Sequence, residues 1–388
     1  MLSKLSLTKA CSQYQLECRL TGHQDVILCL AISNSGKLLA SGGFDSLRMW
    51  DLQGQIQLAK PSQMRNPRDP VTCAVWLMGK NNVQEMLCCG TGLGYLIIWK
   101  QRPNTTMEFD EILSRRIGSG QEIMHITCDT HDISGGTCFI TGTRDKRVQV
   151  WSLDSRHQFS NVFSIELSTT VPRASFFHGT DIIICGMYDG EILRGKDGLI
   201  LGTYTAGMMI GSAAMDPTHS FIVIDNIDGA CIHMYNTKPE KAYPKQVALA
   251  ERAGNVVGGG ENGVVFVFNK NSGERVQTLR HAPAGHVQTI MTHDGADYHL
   301  IVAASSSSEN HAKISVWKKR CTTPGEELKP TERQTMISLM WSILQTTSHL
   351  LTTAIVVLFA FQMMVNPAVL HSDSRSGSDA VPGARVGL

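Results

Sequence analysis

The feature that most constrains the fold of this chain is a pattern of short apolar strands that recurs along its first 320 or so residues. Each unit contains one apolar strand, a second strand that ends in a small-residue turn, and a third strand with alternating apolar positions. The clearest unit reads GHQDVILCLAISNSGKLLASGGFDSLRMWDL, at residues 22–52. Repetition with a period of about 40 to 50 residues is typical of repeat architectures, in which neighbouring units share a core.

Seven units give the best count. Their third strands end at Trp50, Trp99, Trp151, about Gly195, about Met234, Phe268 and Trp317. Strands this short cannot bury two faces alone, so they are expected to form small sheets that stack radially as the blades of a propeller. The ring must also close, and the alternating segment Tyr14–Leu20 is predicted to pair as the outer strand of the last blade.

The units resemble WD repeats. The first unit carries the resemblance most specifically, through Gly22-His23, Ser41, Asp45 and the Trp50-Asp51 dipeptide. The resemblance covers residues 14–319 and implies an all-β fold, a seven-bladed WD-repeat β-propeller. In that family, His, Ser, Asp and Trp side chains form a hydrogen-bonded network within a blade. The resemblance assigns this role to His23, Ser41, Asp45, Trp50, Thr141, Asp145, Trp151, His286 and Trp317.

Most units depart from the family pattern. The segment Asp45–Trp50 is one residue shorter than Asp145–Trp151, which has the usual spacing. Leu93 stands where Asp is expected, and Gly195 stands where Trp is expected. Beyond the first unit, only Gly285-His286 preserves the Gly-His dipeptide. Most blades are therefore predicted to be held by apolar packing without the full network.

The family resemblance also predicts a partner-binding face. The turn that carries the Asp lies on one face of the disc, so the residues just before it would form a ring there. These residues are Phe44, Gly92, Arg144, Tyr188, Ile227 and Glu261. Aromatic and Arg side chains dominate binding hot spots, so we expect proteins or peptides as partners. The alternative is that these are ordinary loop residues.

Charge and motifs argue against other kinds of ligand. Lys and Arg total 35 against 34 Asp and Glu, so no strong field gathers nucleic acid. The segment Gly90–Gly94 is followed by a strand, whereas a phosphate-binding loop is followed by a helix. Because metal-ligand spacings and a nucleophile elbow are also absent from the sequence, we predict a protein that is not an enzyme, with no cofactor, no metal and no small-molecule substrate.

The eleven cysteines and the N-terminus indicate the compartment. The cysteine count is odd and without paired spacing, which favours reduced, buried thiols. Residues 1–13, an N-terminal extension, carry scattered Lys and polar residues in place of a secretory apolar run. The propeller is therefore expected to be cytosolic.

The C-terminal part differs in composition. Residues 320–335 are predicted to be a linker, 336–365 a hydrophobic helix, and 366–388 a disordered tail. Thirty residues without Gly or Pro, at about 1.5 Å each, suffice to cross a hydrocarbon layer of about 30 Å. The membrane segment would include Leu350, Val356, Phe359 and Val365.

Two interpretations of this helix are open. In the first it is a tail anchor, and the chain is a WD-repeat interaction scaffold on the cytoplasmic face of an intracellular membrane. In the second it packs on the propeller or on a partner, and the chain is a soluble subunit of a cytoplasmic or nuclear complex. A propeller with unrecognised enzymatic activity is the third hypothesis.

Overall fold

The computed structural model describes residues 13–59, 68–78, 85–103, 105, 108–129, 137–206, 209–226, 243–305 and 312–321. The regular elements of these residues are β-strands, which form six antiparallel sheets of four strands and one of two strands. The number of sheets equals the number of units that the sequence predicts. We call the sheets blades 1 to 7 and the first strand of each the inner strand.

The strands follow one another along the chain in blade order. Blade 1 contains β2 (Ile27–Ile32), β3 (Leu38–Gly43), β4 (Ser46–Asp51) and β5 (Ile56–Gln57). Blade 2 contains β6 (Val71–Met78), β7 (Glu85–Thr91), β8 (Tyr95–Gln101) and β9 (Phe109–Arg116). Blade 3 contains β10 (Ile123–Cys128), β11 (Thr137–Thr143), β12 (Arg147–Leu153) and β13 (Phe159–Glu166).

Blade 4 contains β14 (Pro172–His178), β15 (Asp181–Gly186), β16 (Glu191–Lys196) and β17 (Leu199–Thr205). Blade 5 is described in β18 (Ile210–Met215) and β19 (Ile222–Asn226). Blade 6 contains β20 (Val247–Ala250), β21 (Asn255–Gly259), β22 (Val264–Asn269) and β23 (Arg275–Arg280). Blade 7 contains β24 (Val287–Asp294), β25 (Tyr298–Ser305), β26 (Lys313–Arg320) and, as its outer strand, β1 (Gln15–Thr21).

The last blade is closed by the N-terminal strand. β1 pairs antiparallel with β26, so that Leu16 lies opposite Trp317 and Thr21 opposite Lys313. The predicted pairing of the segment that begins at Tyr14 with the last blade is therefore confirmed. The first and last strands of the propeller share one sheet, which joins the two ends of the ring.

The inner strands form a closed ring. Each contacts the inner strand of the next blade, and β24 of blade 7 contacts β2 of blade 1. Side chains link these strands to neighbouring backbones: Thr289 Oγ1 donates to the carbonyl of Ile27 at 3.0 Å, and Thr72 Oγ1 donates to the carbonyl of Ile123 at 2.6 Å. Because an inner strand presents polar backbone to the centre of the ring, such links stabilise it there.

The apolar core lies between the blades. One buried cluster joins blades 1 and 2 around Trp76 and Trp99, and another joins blades 2 and 3 around Phe139 and Trp151. Further clusters join blade 7 to blade 6 and to blade 1. A blade therefore buries its two faces only when both neighbours are present, as expected for a repeat whose units are not stable alone.

The small residues that end the second strands have a packing reason. A Cβ on Gly42 would lie 2.5 Å from Val71 Cγ1, on the inner strand of the next blade. A Cβ on Gly90 would lie 2.7 Å from Ile123 Cγ2 in the same way. Adjacent blades approach at these glycines more closely than any side chain allows.

Several predictions fall outside the described residues. These are Met234 as the end of the fifth third strand, Ile227, residues 1–12 of the N-terminal extension, the linker beyond Cys321, the hydrophobic helix and the tail. The strand β26 runs to Arg320, the first residue of the predicted linker. The compact unit that contains the blades ends at Cys321. Among the residues described here, no helix is long and apolar enough to span a membrane.

Candidate functional site: the turn face

One face of the propeller carries the turns between the second and third strands. Because strands alternate in direction within a blade, the loops that enter the inner strands lie on the same face. Backbone hydrogen bonds join the two sets: Phe44 N donates to the carbonyl of Val26, and Arg144 N donates to the carbonyl of Glu122. We call this surface the turn face.

Blade 1 contains a four-residue hydrogen-bonded network that supports its turn. His23 Nδ1 lies 2.5 Å from Asp45 Oδ1, and His23 Nε2 lies 2.7 Å from Ser41 Oγ. Trp50 Nε1 donates to Ser41 Oγ at 2.8 Å. The structure thus brings together the four residues that the resemblance assigned to this network.

The protonation of the network follows from its environment. Burial lowers the pKa of His23, although Asp45 opposes that shift. Burial alone would raise the pKa of Asp45, but the hydrogen bonds from His23 and from the backbone of Gln24 lower it overall. A neutral His23 that donates from Nδ1 to the Asp45 carboxylate and accepts from Ser41 at Nε2 satisfies every bond.

Blade 3 supports its turn with a serine in place of the histidine. Trp151 Nε1 donates to Thr141 Oγ1 at 2.8 Å, as Trp50 does to Ser41. Asp145 accepts from Thr143 Oγ1, and from Ser119 Oγ at 2.6 Å. Ser119 follows Gly118, as His23 follows Gly22, and sequence reasoning missed it because Gly-Ser has no specific signal.

The turns of these two blades differ in length, as the sequence spacing predicts. In blade 1 Gly43 pairs with Ser46, which leaves two residues in the turn, whereas in blade 3 Thr143 pairs with Arg147 and leaves three. Ser46 adopts a φ of 96°, a value that favours glycine. Lys146 in the longer turn of blade 3 has a φ of 64°, so both turns place a non-glycine residue at positive φ.

Blade 2 has no such network around Trp99, the tryptophan of its third strand. Register places Cys89 two residues beyond the partner of Trp99, at the position that Ser41 occupies relative to Trp50. Trp99 Nε1 is buried without a hydrogen-bond partner among the described residues. In this blade the carboxylate comes from the loop that precedes the first strand: Asp69 Oδ1 accepts from the turn residue Leu93, through its backbone N, at 2.9 Å.

In blade 7 the histidine near the tryptophan is His281, and Ala303 stands at the position that Ser41 occupies in blade 1. His281 Nδ1 lies 2.9 Å from Ser315 Oγ, and its ring lies 6.5 Å from that of Trp317. The ring of His286 packs instead on Tyr243, at 4.3 Å between centroids. His286 Nδ1 is buried and has no hydrogen-bond partner in the described part of the chain.

Blade 4 shows why a glycine can replace the tryptophan. Gly195 pairs with Ile182, and a Cβ on Gly195 would lie 2.5 Å from Ile165 Cδ1, on the outer strand of blade 3. An isoleucine from the neighbouring blade therefore fills this space. The turn is supported by Thr169 Oγ1, which donates to Asp189 Oδ2 at 3.0 Å.

The predicted partner-binding residues lie on the turn face but differ in character. Phe44 and Tyr188 are each 52% exposed, so two aromatic side chains project from supported turns. Arg144 is exposed and forms an ion pair of 2.7 Å with Glu122. Glu261 is half-buried near Tyr243, where its charge contributes to raising the pKa of Tyr243, after burial.

Sequence reasoning placed Gly92 on this face and missed the residue beside it. A Cβ on Gly92 would lie 2.8 Å from Pro70 Cγ, so this glycine packs on the loop beneath it. Leu93 is 42% exposed at the tip of the same turn. The sequence did carry a signal for this exposure, because Leu93 stands at a turn position where the family has Asp.

A Cys–His–Asp chain on the opposite face was also missed. Cys321 Sγ lies 3.3 Å from His299 Nε2, and His299 Nδ1 lies 2.7 Å from Asp294 Oδ1. Asp294 also accepts from the backbone of Glu251 and of Arg252. Asp294 ends β24, His299 lies in β25 and Cys321 follows β26, so no sequence motif indicates that the three side chains meet.

The remaining cysteines match a reduced interior. The nine cysteines of the described chain are free thiols. Burial raises the pKa of Cys29, Cys73, Cys88 and Cys89 above the ordinary range. In the same described residues, no group of three His, Cys, Asp or Glu side chains could hold a metal ion.

Comparison with known proteins supports the repeat and the fold. The family model of the WD domain, G-beta repeat, matches residues 14–51, which include the network of blade 1. The WD40 beta propeller domain of Doa1 is similar in structure, with a TM-score of 0.61 and 15% sequence identity. The similarity covers 79% of this chain and 97% of that domain. No curated protein sequence matches the chain.

Proposed function

We propose that this chain is a non-enzymatic scaffold that binds a protein or peptide on the turn face of its propeller. The observation that carries the proposal is the pair Phe44 and Tyr188, each 52% exposed on a turn of the same face. Exposed aromatic side chains on preorganised backbone are typical of binding hot spots, because they bury much apolar area at a small entropic cost.

Support for the turns keeps these side chains in place without the partner. Phe44 N is bonded to the carbonyl of Val26, and its neighbour Asp45 is fixed by His23. Tyr188 N donates to Thr170 Oγ1 at 3.3 Å. Arg144 adds a cation on blade 3, next to the blade of Tyr188, and its ion pair with Glu122 is exposed and therefore weak.

A triple substitution tests this proposal. The changes Phe44→Ala, Arg144→Ala and Tyr188→Ala should abolish capture of partners by the tagged protein, as measured by cross-linking in the native cell. The matched control replaces Ile56, Val162 and Val276 by Ala, which are exposed apolar residues away from the turn face. Both variants should keep the wild-type melting temperature. An unchanged partner profile in the triple variant would end the proposal.

A membrane tether is a further part of the proposal, supported by the sequence of residues 350–365 alone. The tether would hold the propeller on the cytoplasmic face of an intracellular membrane. Fractionation with a carbonate wash tests it: an anchored chain stays in the pellet, whereas a chain recovered in the supernatant favours the soluble alternative.

A further inference from the structure

A cavity of about 520 Å³ opens on the turn face between blades 6 and 7. Its wall includes Arg280 at the end of β23, Lys313 at the start of β26, and Arg19 on β1. Three cationic side chains from three strands thus converge on one cavity, and all three are exposed. Asp and Glu are missing from the described residues that line it.

The positive charge of the cavity is not neutralised by the hydrogen bonds that hold it. Arg19 Nη2 donates to the carbonyl of Arg280 at 3.5 Å, and Arg280 Nη1 donates to the carbonyl of Asn262 at 2.9 Å. A carbonyl oxygen accepts a hydrogen bond but carries no full charge. Each guanidinium keeps further N–H donors for a ligand, since it has five.

The positive charge of the cavity affects the pKa of His281, one of its lining residues. His281 is 4% exposed, and its Nδ1 is bonded to Ser315. Burial lowers the pKa of His281 to about 4, and the positive charges of Arg19 and Lys313 lower it in the same direction. An anion that enters the cavity would offset these charges and would therefore raise the pKa of His281.

We infer that this cavity binds a phosphorylated side chain of an extended peptide, with Arg19, Arg280 and Lys313 around the phosphate. A phosphate carries nearly two negative charges and three acceptor oxygens, which suit two guanidinium forks and an ammonium group. Ala282 and Pro283 on the same wall offer apolar contacts to the flanking residues of the peptide.

The dimensions and the charge favour a peptide over other anionic ligands. The volume lies within the range of small-ligand pockets, roughly 300 to 1,000 Å³, and holds one modified side chain with its neighbours. Nucleic acid needs an extended basic stripe, whereas this chain has a net charge of +1. An anionic bilayer is recognised by longer polybasic clusters than three residues.

The test measures binding of the full chain to a labelled pentapeptide, Gly-Ala-phosphoSer-Ala-Gly, by fluorescence anisotropy. We expect binding at least about tenfold tighter than that of the same peptide without phosphate, because charge-assisted bonds are lost. Changing Arg19, Arg280 and Lys313 to Ala should remove this preference, as should the single change Lys313→Glu. The matched control changes the exposed Lys37, Arg156 and Arg252 of the opposite face to Ala, with the same loss of charge, and should keep it.

Titration of His281, followed by its ring proton resonances, gives a second readout. The bound phosphopeptide should raise the pKa of His281 from about 4, because it offsets the charges of Arg19 and Lys313. Equal binding of the two peptides, or an unmoved His281, would overturn the inference. Inorganic phosphate that binds as tightly as the peptide would overturn its peptide part, and so would tighter binding to vesicles that contain phosphatidylserine.

The inference rests on the proposed function in placing a peptide on the turn face, but the two can fail separately. Phosphopeptide binding depends on Arg19, Arg280 and Lys313, whereas partner capture is tested at Phe44, Arg144 and Tyr188. A variant that loses one property and keeps the other identifies which surface is wrong.

Discussion

At the residue scale, the indole N–H of Trp99 shows how one missing hydrogen-bond acceptor affects the stability of a blade. Trp50 and Trp151 donate to hydroxyls of Ser41 and Thr141, whereas Trp99 faces a position occupied by Cys89. A thiol is a weak acceptor, and a buried N–H without a partner costs free energy. Blade 2 compensates with the apolar cluster that contains Trp99 and Cys89.

The change Cys89→Ser should therefore stabilise the protein. A hydroxyl at this position gives Trp99 Nε1 an acceptor, and we expect the free energy of unfolding to rise by about 1 kcal/mol. Cys88→Ser is the matched control, since Cys88 is equally buried but lies on the other face of the strand. That change should lower the free energy of unfolding by about 1–3 kcal/mol. Denaturant titration measures both, and destabilisation by Cys89→Ser would contradict the argument.

Buried histidines should make the protein sensitive to mild acid. Burial lowers the pKa of His125 to about 3, with a further contribution from Arg173. Between about pH 6 and pH 4 the unfolded chain binds a proton that the folded chain does not. Stability is therefore lost as pH falls, by about 1.4 kcal/mol per pH unit for each such histidine.

The variant His125→Phe isolates this contribution. Its free energy of unfolding, measured at several pH values, should decline less steeply than that of the wild type by about 1.4 kcal/mol per pH unit. The absolute stability also changes, because Ser175 loses its bond to His125. The slope reports the titration alone, and a slope equal to that of the wild type would sink the prediction.

The environments of two half-buried cysteines predict that Cys321 reacts before Cys18. Cys321 is half-buried, and its Sγ lies 3.3 Å from His299 Nε2. Cys18 is also half-buried, but burial raises its pKa to about 11. Iodoacetamide at pH 8 should therefore modify Cys321 before Cys18, as peptide mass spectrometry after short labelling would show. His299→Ala should slow the labelling of Cys321 and leave that of Cys18 unchanged.

At the element scale, the first three strands of a blade were predictable, whereas among the outer strands only the closing strand of blade 7 was. The first three strands carry apolar residues that alternate or run together, because both of their faces are covered by neighbouring blades. The outer strands β13 and β23 are largely exposed, and their apolar residues show no regular spacing that predicts a strand. The strand β17 is exposed as well, although it begins Leu-Ile-Leu.

The bulges that repeat along the ring were also invisible in the sequence. Six of the described inner strands shift register shortly after they begin. The extra residues are Leu28, Thr72, Met124, Arg173, Gly211 and Gln288. They share no residue type, because a bulge is set by how two strands meet. Two of them, Thr72 and Arg173, bond through their side chains to the backbone of the next blade.

The close approach of blades 1 and 2 makes Gly42 sensitive to one added carbon. The change Gly42→Ala would place Cβ 2.5 Å from Val71 Cγ1 and 2.7 Å from Cys29 Sγ. Since neither strand can move without disturbing the ring, we expect a loss of about 1–3 kcal/mol in the free energy of unfolding. Gly202→Ala is the control, because its nearest neighbour atom lies 4.0 Å away. Equal melting temperatures of the two variants would refute this packing argument.

At the scale of the whole molecule, stability depends on closing the ring. The N-terminal strand is fixed to blade 7 by its ladder with β26. It is joined to blade 6 by the bond of Arg19 to the carbonyl of Arg280 and by the side chain of Gln277. Gln277 Oε1 accepts from Tyr14 N at 2.9 Å, and Gln277 Nε2 donates to Tyr14 O at 2.8 Å. This side-chain amide therefore bonds both the backbone N–H and the backbone carbonyl of a residue 263 positions away in the sequence.

Removing this clamp should weaken closure. Gln277→Ala deletes both bonds, and we expect the free energy of unfolding to fall by about 1–2 kcal/mol. Cleavage by a protease near β1 should also accelerate, because the strand opens more often. Thr278→Ala, an exposed position on the same strand, is the control and should change stability by less than about 0.5 kcal/mol. Similar losses in the two variants would show that the clamp contributes nothing.

The sequence by itself determined the repeat, the all-β fold, the closing segment and the network of blade 1. These follow from periodicity and from one well-preserved motif, which are properties of neighbouring residues. Only the tertiary structure decided that His281 and not His286 bonds in blade 7, that Ser119 supports the turn of blade 3, and that Arg19, Arg280 and Lys313 face one cavity. Such contacts join residues from different strands, so their formation depends on how the blades pack around the ring.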